Sequence, residues 1–373
     1  MAKAKKKAVK KPVKAPVKPT VKQAARPAAK ASKGKAPKGK VRRIVEHEGA
    51  SAAAMGVARA AARSVRGAAK AAGIPKPHVA RAGDPVRIGV LGGSGIYDMA
   101  GLKNTKWRKV STPWGDPSDE LLFGSLDGAE LVFLPRHGRG HVHSPSEVNY
   151  RANIDALKRV GCHDVISVSA CGSFKEHLAP GTFVIVDQFI DRTFMRQKSF
   201  FGTGLVAHVS AAHPVCHRLG DALEAAAKDA GITVQRGGTY LCMEGPQFST
   251  QAESFLYKSW GCDVIGMTNA PEAKLAREAE LCYASVAMVT DYDCWHPDHD
   301  HVDVAAVIRV LLDNAEKGQT LVARAVPHLR HRPAHCPQGC DRVLDSALIT
   351  APEKRDPAVI RKLDAVAGRV FKA

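Results

Sequence analysis

The chain has 373 residues and a formal net charge of +19, but the charge sits at one end. Residues 1–82 carry 23 of the 55 Lys and Arg and two of the 36 Asp and Glu, leaving 32 basic and 34 acidic residues elsewhere. The overall basicity therefore says nothing about the partners of the remaining body, which at about 290 residues can bury a sizeable core in one or two domains. No apolar run reaches the length that spans a bilayer, and no apolar signal core follows the N-terminal lysines. Nine cysteines are scattered through apolar contexts such as LCYAS and DVISVSACG. They read as reduced, buried thiols rather than a disulfide framework, and the expected location is the cytoplasm.

Residues 1–84 form a basic tail. Its first 40 residues are built from Lys, Ala, Pro and Val, in which prolines break helices and like charges repel, so disorder is expected. Residues 49–73 have the composition of a transient basic helix. The tail resembles the Lys/Ala/Pro tails of linker histones. Three readings stand side by side: weak, salt-dependent contact with nucleic acid, a solubilising tail, or a start codon placed too far upstream, with Met55 as an alternative.

From about residue 85 the pattern changes. VRIGVL predicts a strand, and GGSG with Ser94 follows it as a tight turn or an anion cradle. Neither the Walker nor the dinucleotide spacing is met. ELVFLP is a second strand, ending in RHGRGH with Arg136, His137, Arg139 and His141, types that suit an oxyanion. His137 and His141 have the spacing of a helical metal pair, but Gly138 and Gly140 argue for a loop. VNYRANIDALKRVGC reads as an amphipathic helix ended by glycine. DVISVSACG, GTFVIVDQFI, DVIGMT and ASVAMVTDYD are further strands, with helices expected in RLGDALEAAAKDAG, TQAESFLYKSWG and APEAKLAREAELC. Strands alternating with helices predict an α/β fold on a mostly parallel sheet, with its site at the strand carboxyl ends.

CWHPDHDH comes within one residue of a binuclear metallo-hydrolase motif, with Cys294 where the first His belongs; its other reading is a polar turn opening the helix VDVAAVIRVLLDNA. His335, Cys336 and Cys340 are open to a small zinc or redox site and to unpaired thiols. VTDYDCW places Asp291 and Asp293 two apart, which on a strand puts both on one face. Such a pair is either salt-bridged or a protonated acid beside an ionised one. The second form can donate and accept on one ligand edge, and adenine offers the complement: N7 accepts and the N6 amino group donates.

IGVLGGSGIYD, PRHGRGHVHSPSEVNYRANIDALK, SACGSFKEHLAPGTFVIVDQFIDRT, EGPQFSTQAESFLYKSWGCDVIGMTNAPEAKLARE and CYASVAMVTDYDCW, taken together, resemble the methylthioadenosine phosphorylases, the adenine-selective branch of the trimeric purine nucleoside phosphorylases. The resemblance runs over residues 85–325 and implies one phosphorylase domain, a twisted mixed β-sheet flanked by helices; residues 326–373 extend beyond it as a helical extension, in which PAVIRKLDAVAGRVF reads as an extra helix. It implies phosphorolysis of methylthioadenosine, with inorganic phosphate as co-substrate and neither metal nor organic cofactor. Residue by residue, it implies phosphate contacts from Ser94, Arg136, His137, Ser169, Ala170 and Thr268. It implies base contacts from Phe248, Ser249, Asp291 and Asp293, the aspartates being catalytic, with Asp291 at N7. Met267 would pack on the ribose, and His141, Val304, Val307 and Ile308 would form the 5′-methylthio pocket. His208 would be lent by a neighbouring subunit of a homotrimer or a dimer of trimers.

The chain departs from the family at Gly266, where several relatives have Asn, and at Asn269–Ala270. The alternative activity is that of a 6-oxopurine or methylthioinosine phosphorylase. Two aspartates disfavour it, because a buried carbonyl facing a carboxylate costs on the order of 1–3 kcal/mol.

Overall fold

The computed structural model describes residues 73–371, apart from positions 80, 82, 94 and 299–303 and the side chains of 304–306. The expectations for the basic tail lie almost wholly outside the described residues, as does the one for Ser94. The described strands form one mixed, eleven-stranded sheet. Its centre is β5 (Asp164–Ser173). One edge of β5 is taken along its length by β11 (Cys282–Asp291), in parallel from Cys282↔Asp164 to Asp291↔Gly172. The other edge changes partner. β1 (Arg87–Gly92) runs beside residues 164–167, and β10 (Val264–Gly266) pairs antiparallel with Gly172 and Ser173. Between these, residues 168–171 have no strand neighbour on that side among the described residues.

The rest of the sheet builds outward. β4 (Ala129–Pro135) lies parallel to β1, followed by β3 (Leu121–Leu126) and β2 (Lys103–Arg108) in antiparallel array. β9 (Thr239–Cys242) and β7 (Gln188–Asp191) extend from β10, while β6 (Phe183–Val186) and β8 (Val234–Arg236) extend from β11. The single apolar run GTFVIVDQFI thus becomes two strands, parting at Asp187, whose carboxylate accepts the Gly238 N–H at 3.0 Å.

Alternation along the strands supplies two cores. Ile88, Val90 and Ile166 face α2 (His217–Asp229) and the long α5 (Val304–Leu329). Leu91 and Val165 face α1 (Tyr150–Arg159) and α4 (Asn269–Glu278). Asn149 caps α1, and α3 (Gln251–Ser259) starts at a reciprocal Thr250–Glu253 capping box. None of the described helices is long and apolar enough to cross a membrane.

Helix α5 runs through residue 325 to Leu329, and the chain beyond it adds Leu344, Leu363 and Val366 to the α1/α4 core. The segment Pro357–Phe371, expected as one helix, is broken into α6 (Pro357–Lys362) and α7 (Gly368–Phe371). The break buries Leu363 and Val366 and brings Asp364 to Arg159 at 2.7 Å, gains that a straight helix forgoes. Leu363→Ala should therefore lower the unfolding free energy by about 2–5 kcal/mol in a denaturant titration. A loss within about 0.5 kcal/mol, typical of a surface site, would show that this segment is not core.

Candidate active site

A cavity of about 290 Å³ opens along the unpaired edge of β5, lined there by Val168, Ser169, Ala170, Cys171 and Gly172. Its walls come from the ends of β4, β10 and β11, and from α5. Of the residues expected at the site, Arg136, His137, His141, Ser169, Ala170, Phe248, Met267, Thr268, Asp291, Asp293 and Val307 line it. Ser249 and Ile308 are not among its lining residues, and His208 is exposed and lies outside this chain's own cavity. The side chain of Val304 is outside the described residues.

Arg136 sits at the end of β4, 2% exposed. Its Nη1 donates to the Val168 carbonyl on the open edge at 3.1 Å and its Nη2 to Ser167 Oγ at 2.7 Å. Nε and Nη2 grip both carboxylate oxygens of Glu272, from the first turn of α4. Burial alone would lower the guanidinium's pKa, but Glu272 more than offsets it and keeps Arg136 charged. One Nη1 proton is left for the cavity, since a guanidinium has five. Ser169 Oγ is buried with no hydrogen-bond partner among the described residues. The N-terminus of α4 opens at Thr268 without a side-chain cap. A buried cation, an orphan hydroxyl and a helix N-terminus together make an oxyanion site.

His137 lies in the loop that its flanking glycines predicted, its ring stacked on His141 at 4.3 Å. Its Nδ1 lies 2.9 Å from the His143 carbonyl and so carries the proton, leaving Nε2 as an acceptor in the neutral ring. Burial and then the Arg136 charge push its pKa down to about 4.

The two aspartates reach the cavity differently from the strand-face expectation. β11 is irregular between Val289 and Asp291 and ends at Asp291. Asp293 is in a turn with φ of +53°, and its N–H folds back onto Asp291 Oδ1 at 2.8 Å. An Asx-type turn, not strand alternation, thus brings the acids together. Burial raises the pKa of both. The Ser254 hydroxyl, the Cys294 N–H and the Ser249 hydroxyl partly counter this at Asp293. Asp293 Oδ2 is buried and has no hydrogen-bond partner among the described residues. Gly172 is required here: a Cβ would stand 2.8 Å from Asp291 Oδ1.

Sequence reasoning missed several contributors. Glu272 resembles an ordinary acid in a helical first turn. Thr290, whose hydroxyl is 2.7 Å from Asp291 Oδ2, had no signal beyond adjacency. Leu311 and Ala315 join Val307 on one face of α5, and their i, i+4, i+8 spacing was readable. At Gly266 a Cβ would collide with the Tyr240 hydroxyl, so the Asn of relatives cannot fit with Tyr240 so placed. In CWHPDHDH, Cys294 turns to the Ser249 carbonyl and His296 to Glu176, so these two do not converge; residues 299–303 lie outside the described residues.

An α/β sheet opened at its central strand over a buried Arg–Glu pair and two apposed acids defines a nucleoside-phosphorylase architecture, and the phosphorylase superfamily profile matches residues 87–327. The S-methyl-5'-thioadenosine phosphorylase of Cereibacter sphaeroides is 68% identical over 285 residues, covering 76% of this chain and 98% of that protein. That of Rhodospirillum rubrum is 65% identical, covering 76% and 97%. A crystal structure of methylthioadenosine phosphorylase from an antarctic soil metagenomic library superposes with a TM-score of 0.71 at 44% identity, covering 76% of this chain and 99% of that one. The chain belongs to the S-methyl-5'-thioadenosine phosphorylase family and is an enzyme, a pentosyltransferase.

Two predictions follow from the buried groups. Glu272→Ala strands the Arg136 charge and should cost about 3–5 kcal/mol of stability in denaturant unfolding; a change below about 1 kcal/mol would mean that the pair is hydrated. For His137, the folded pKa of about 4 lies below the ordinary 6.5, so the unfolded chain takes up the proton first as pH falls. Stability should be fully present above about pH 6.5 and decline towards pH 4, and His137→Gln should flatten that decline. His163, also pushed down to about 4 by burial, accounts for a remaining slope. An unchanged slope in the variant would show that His137 does not titrate there.

Proposed function

We propose that the chain cleaves S-methyl-5'-thioadenosine with inorganic phosphate, releasing adenine and 5-methylthio-α-D-ribose 1-phosphate, a step of methionine and purine salvage. The observation that carries this is the pairing of two unlike ends in one cavity: a cationic, hydroxyl-bearing end at Arg136 and Ser169, and an acidic end at Asp291 and Asp293. Val168, which Arg136 contacts, and Gly172, which Asp291 overhangs, are four residues apart on β5, roughly 13 Å along the strand. That span suits a phosphate and a nucleoside end to end.

Phosphate is already a competent nucleophile and needs positioning rather than activation. Arg136, His137, Ser169, the backbone at Ala170, Thr268 and Ser94 hold it below C1′. A phosphate oxygen forms the new bond to C1′ as the C1′–N9 bond breaks and its electron pair enters the purine. Asp291, protonated, donates to N7 and neutralises that developing charge. Asp293 accepts a hydrogen bond from the N6 amino group, a role supported by its unpartnered Oδ2. A 6-oxopurine would set a carbonyl against that oxygen, which argues against the inosine-type alternative. Met267 packs on the ribose and Phe248 on the base. His141 and Val307, joined by Leu311 and Ala315, enclose the methylthio group, while Ile308 is exposed and outside the cavity lining. This chemistry needs no metal or organic cofactor.

The working unit is a homotrimer or a dimer of trimers in which His208 reaches a neighbour's pocket. Its exposure supports this, as do Phe194 and Met195, 77% and 70% exposed next to Arg196, which bonds the Met267 carbonyl.

The test is base release from methylthioadenosine with and without phosphate, beside methylthioinosine and inosine. Phosphate-dependent adenine release with little turnover of the oxo compounds is expected; preference for the latter would overturn the base assignment. Asp291→Asn should lower kcat by about 10²–10⁴-fold without unfolding the chain, and near-wild-type turnover would remove its role as the acid.

A further inference from the structure

Four of the nine cysteines converge at a place remote from the cavity. Cys216 is the N-cap of α2, Cys282 is the first residue of β11, and Cys336 and Cys340 lie in the loop CPQGC after α5. All four are buried, and their sulfurs lie within 4.8 Å of one another. The Cys216 and Cys336 sulfurs are 3.7 Å apart. A disulfide requires about 2.05 Å. Four sulfurs around a tetrahedral zinc at about 2.3 Å are separated by roughly 3.8 Å, which the Cys216–Cys336 pair matches and which the others, all inside 4.8 Å, approach.

The backbone holds this arrangement independently of any ion. Cys216 N–H donates to the Tyr283 carbonyl at 2.8 Å, and Cys282 N–H to the His163 carbonyl at 2.9 Å. In the loop, Gly339 adopts φ of +65° and donates to the Cys336 carbonyl at 2.8 Å, while Cys336 N–H donates to Asp341 Oδ1 at 3.0 Å. This knuckle points both loop sulfurs at the other two, and its C-x3-C spacing is within the range of structural zinc ligands. Positive charge stands beside the sulfurs: Arg277 Nη1 is 3.5 Å from Cys340 Sγ, and Arg218 lies against Cys282. The Gln338 amide oxygen, which accepts the Arg218 N–H at 3.2 Å, lies 3.5 Å from Cys216 Sγ and 3.7 Å from Cys336 Sγ, so the loop's side chain also closes over the cluster.

We infer that Cys216, Cys282, Cys336 and Cys340 form a closed tetrathiolate site for a structural zinc ion. Four soft sulfur ligands leave no open coordination position, so the ion does not activate water or substrate. Binding exchanges four thiol protons, released to solvent, for four zinc–sulfur bonds, with no change of oxidation state. The ion staples the loop after α5 to the start of α2 and to the first residue of β11. Asp291 is at the other end of that ten-residue strand, roughly 30 Å away, so the metal supports the fold rather than the chemistry.

The test uses the full chain, purified under reducing conditions with zinc in the growth medium. Elemental analysis after exhaustive dialysis should find about one zinc per chain, and a thiol-blocking mercurial should release it. Cys336→Ser/Cys340→Ser should carry no zinc above blank and melt several degrees lower, with unchanged kcat per folded chain. Should that variant fail to fold, the wild-type chain refolded without metal and titrated with Co²⁺ remains decisive. The thiolate-to-cobalt and tetrahedral d–d bands, saturating at one equivalent, support the site. No cobalt spectrum and no zinc, or a mass deficit matching disulfides among these cysteines, would overturn it.

Discussion

The constraint on which the rest of the structure depends is the change of partner along one edge of β5. A buried strand cannot leave its backbone polar groups unpaired. β11 serves one edge, but the other passes from β1 to β10 and leaves residues 168–171 without a strand neighbour. Arg136 closes part of the gap by donating to the Val168 carbonyl. A buried guanidinium in turn demands a carboxylate. Glu272 supplies it and brings the N-terminus of α4 to the same opening. The cavity and the buried charge beside it therefore come from one packing problem and its solution.

Several features at the opening reduce stability and are retained. Ser169 Oγ and Asp293 Oδ2 are buried without partners, and Asp293 occupies the left-handed region. Each such group costs of order 1–3 kcal/mol unless a ligand satisfies it. They cluster where the ligand belongs, as expected when local consistency is given up for function. Gly172 and Gly266 are the complement: sites where any side chain would strike Asp291 or Tyr240.

β11 joins two kinds of demand. Its last residue is one of the two acids, and its first residue is one of the four clustered cysteines. The strand is buried from Cys282 to Thr290, and its distant end is anchored to the rest of the fold. The chain after α5 does part of this anchoring, through Leu344 and Leu363 in the core and Arg369 on Glu280.

By itself the sequence determined the alternation of strands and helices, the α/β class, and the residue types at the strand ends. These are local properties, set by periodicity, glycine placement and side-chain chemistry. Arg136, His137 and the aspartates were legible because motif and strand end coincide, whereas Ser169 and Thr268 were pointed to only by the family resemblance. Only the tertiary structure decided how those ends meet. The division of GTFVIVDQFI, the break near Leu363, the turn that joins Asp291 to Asp293, and the partnership of Arg136 with Glu272 depend on residues far apart in the chain. Cys216 and Cys282 had no visible relation to Cys336 and Cys340, since 120 residues separate Cys216 from Cys336. Sequence spacing carries information only within one element. Which elements become neighbours is set by the burial of two sheet faces at once, and no local pattern encodes that.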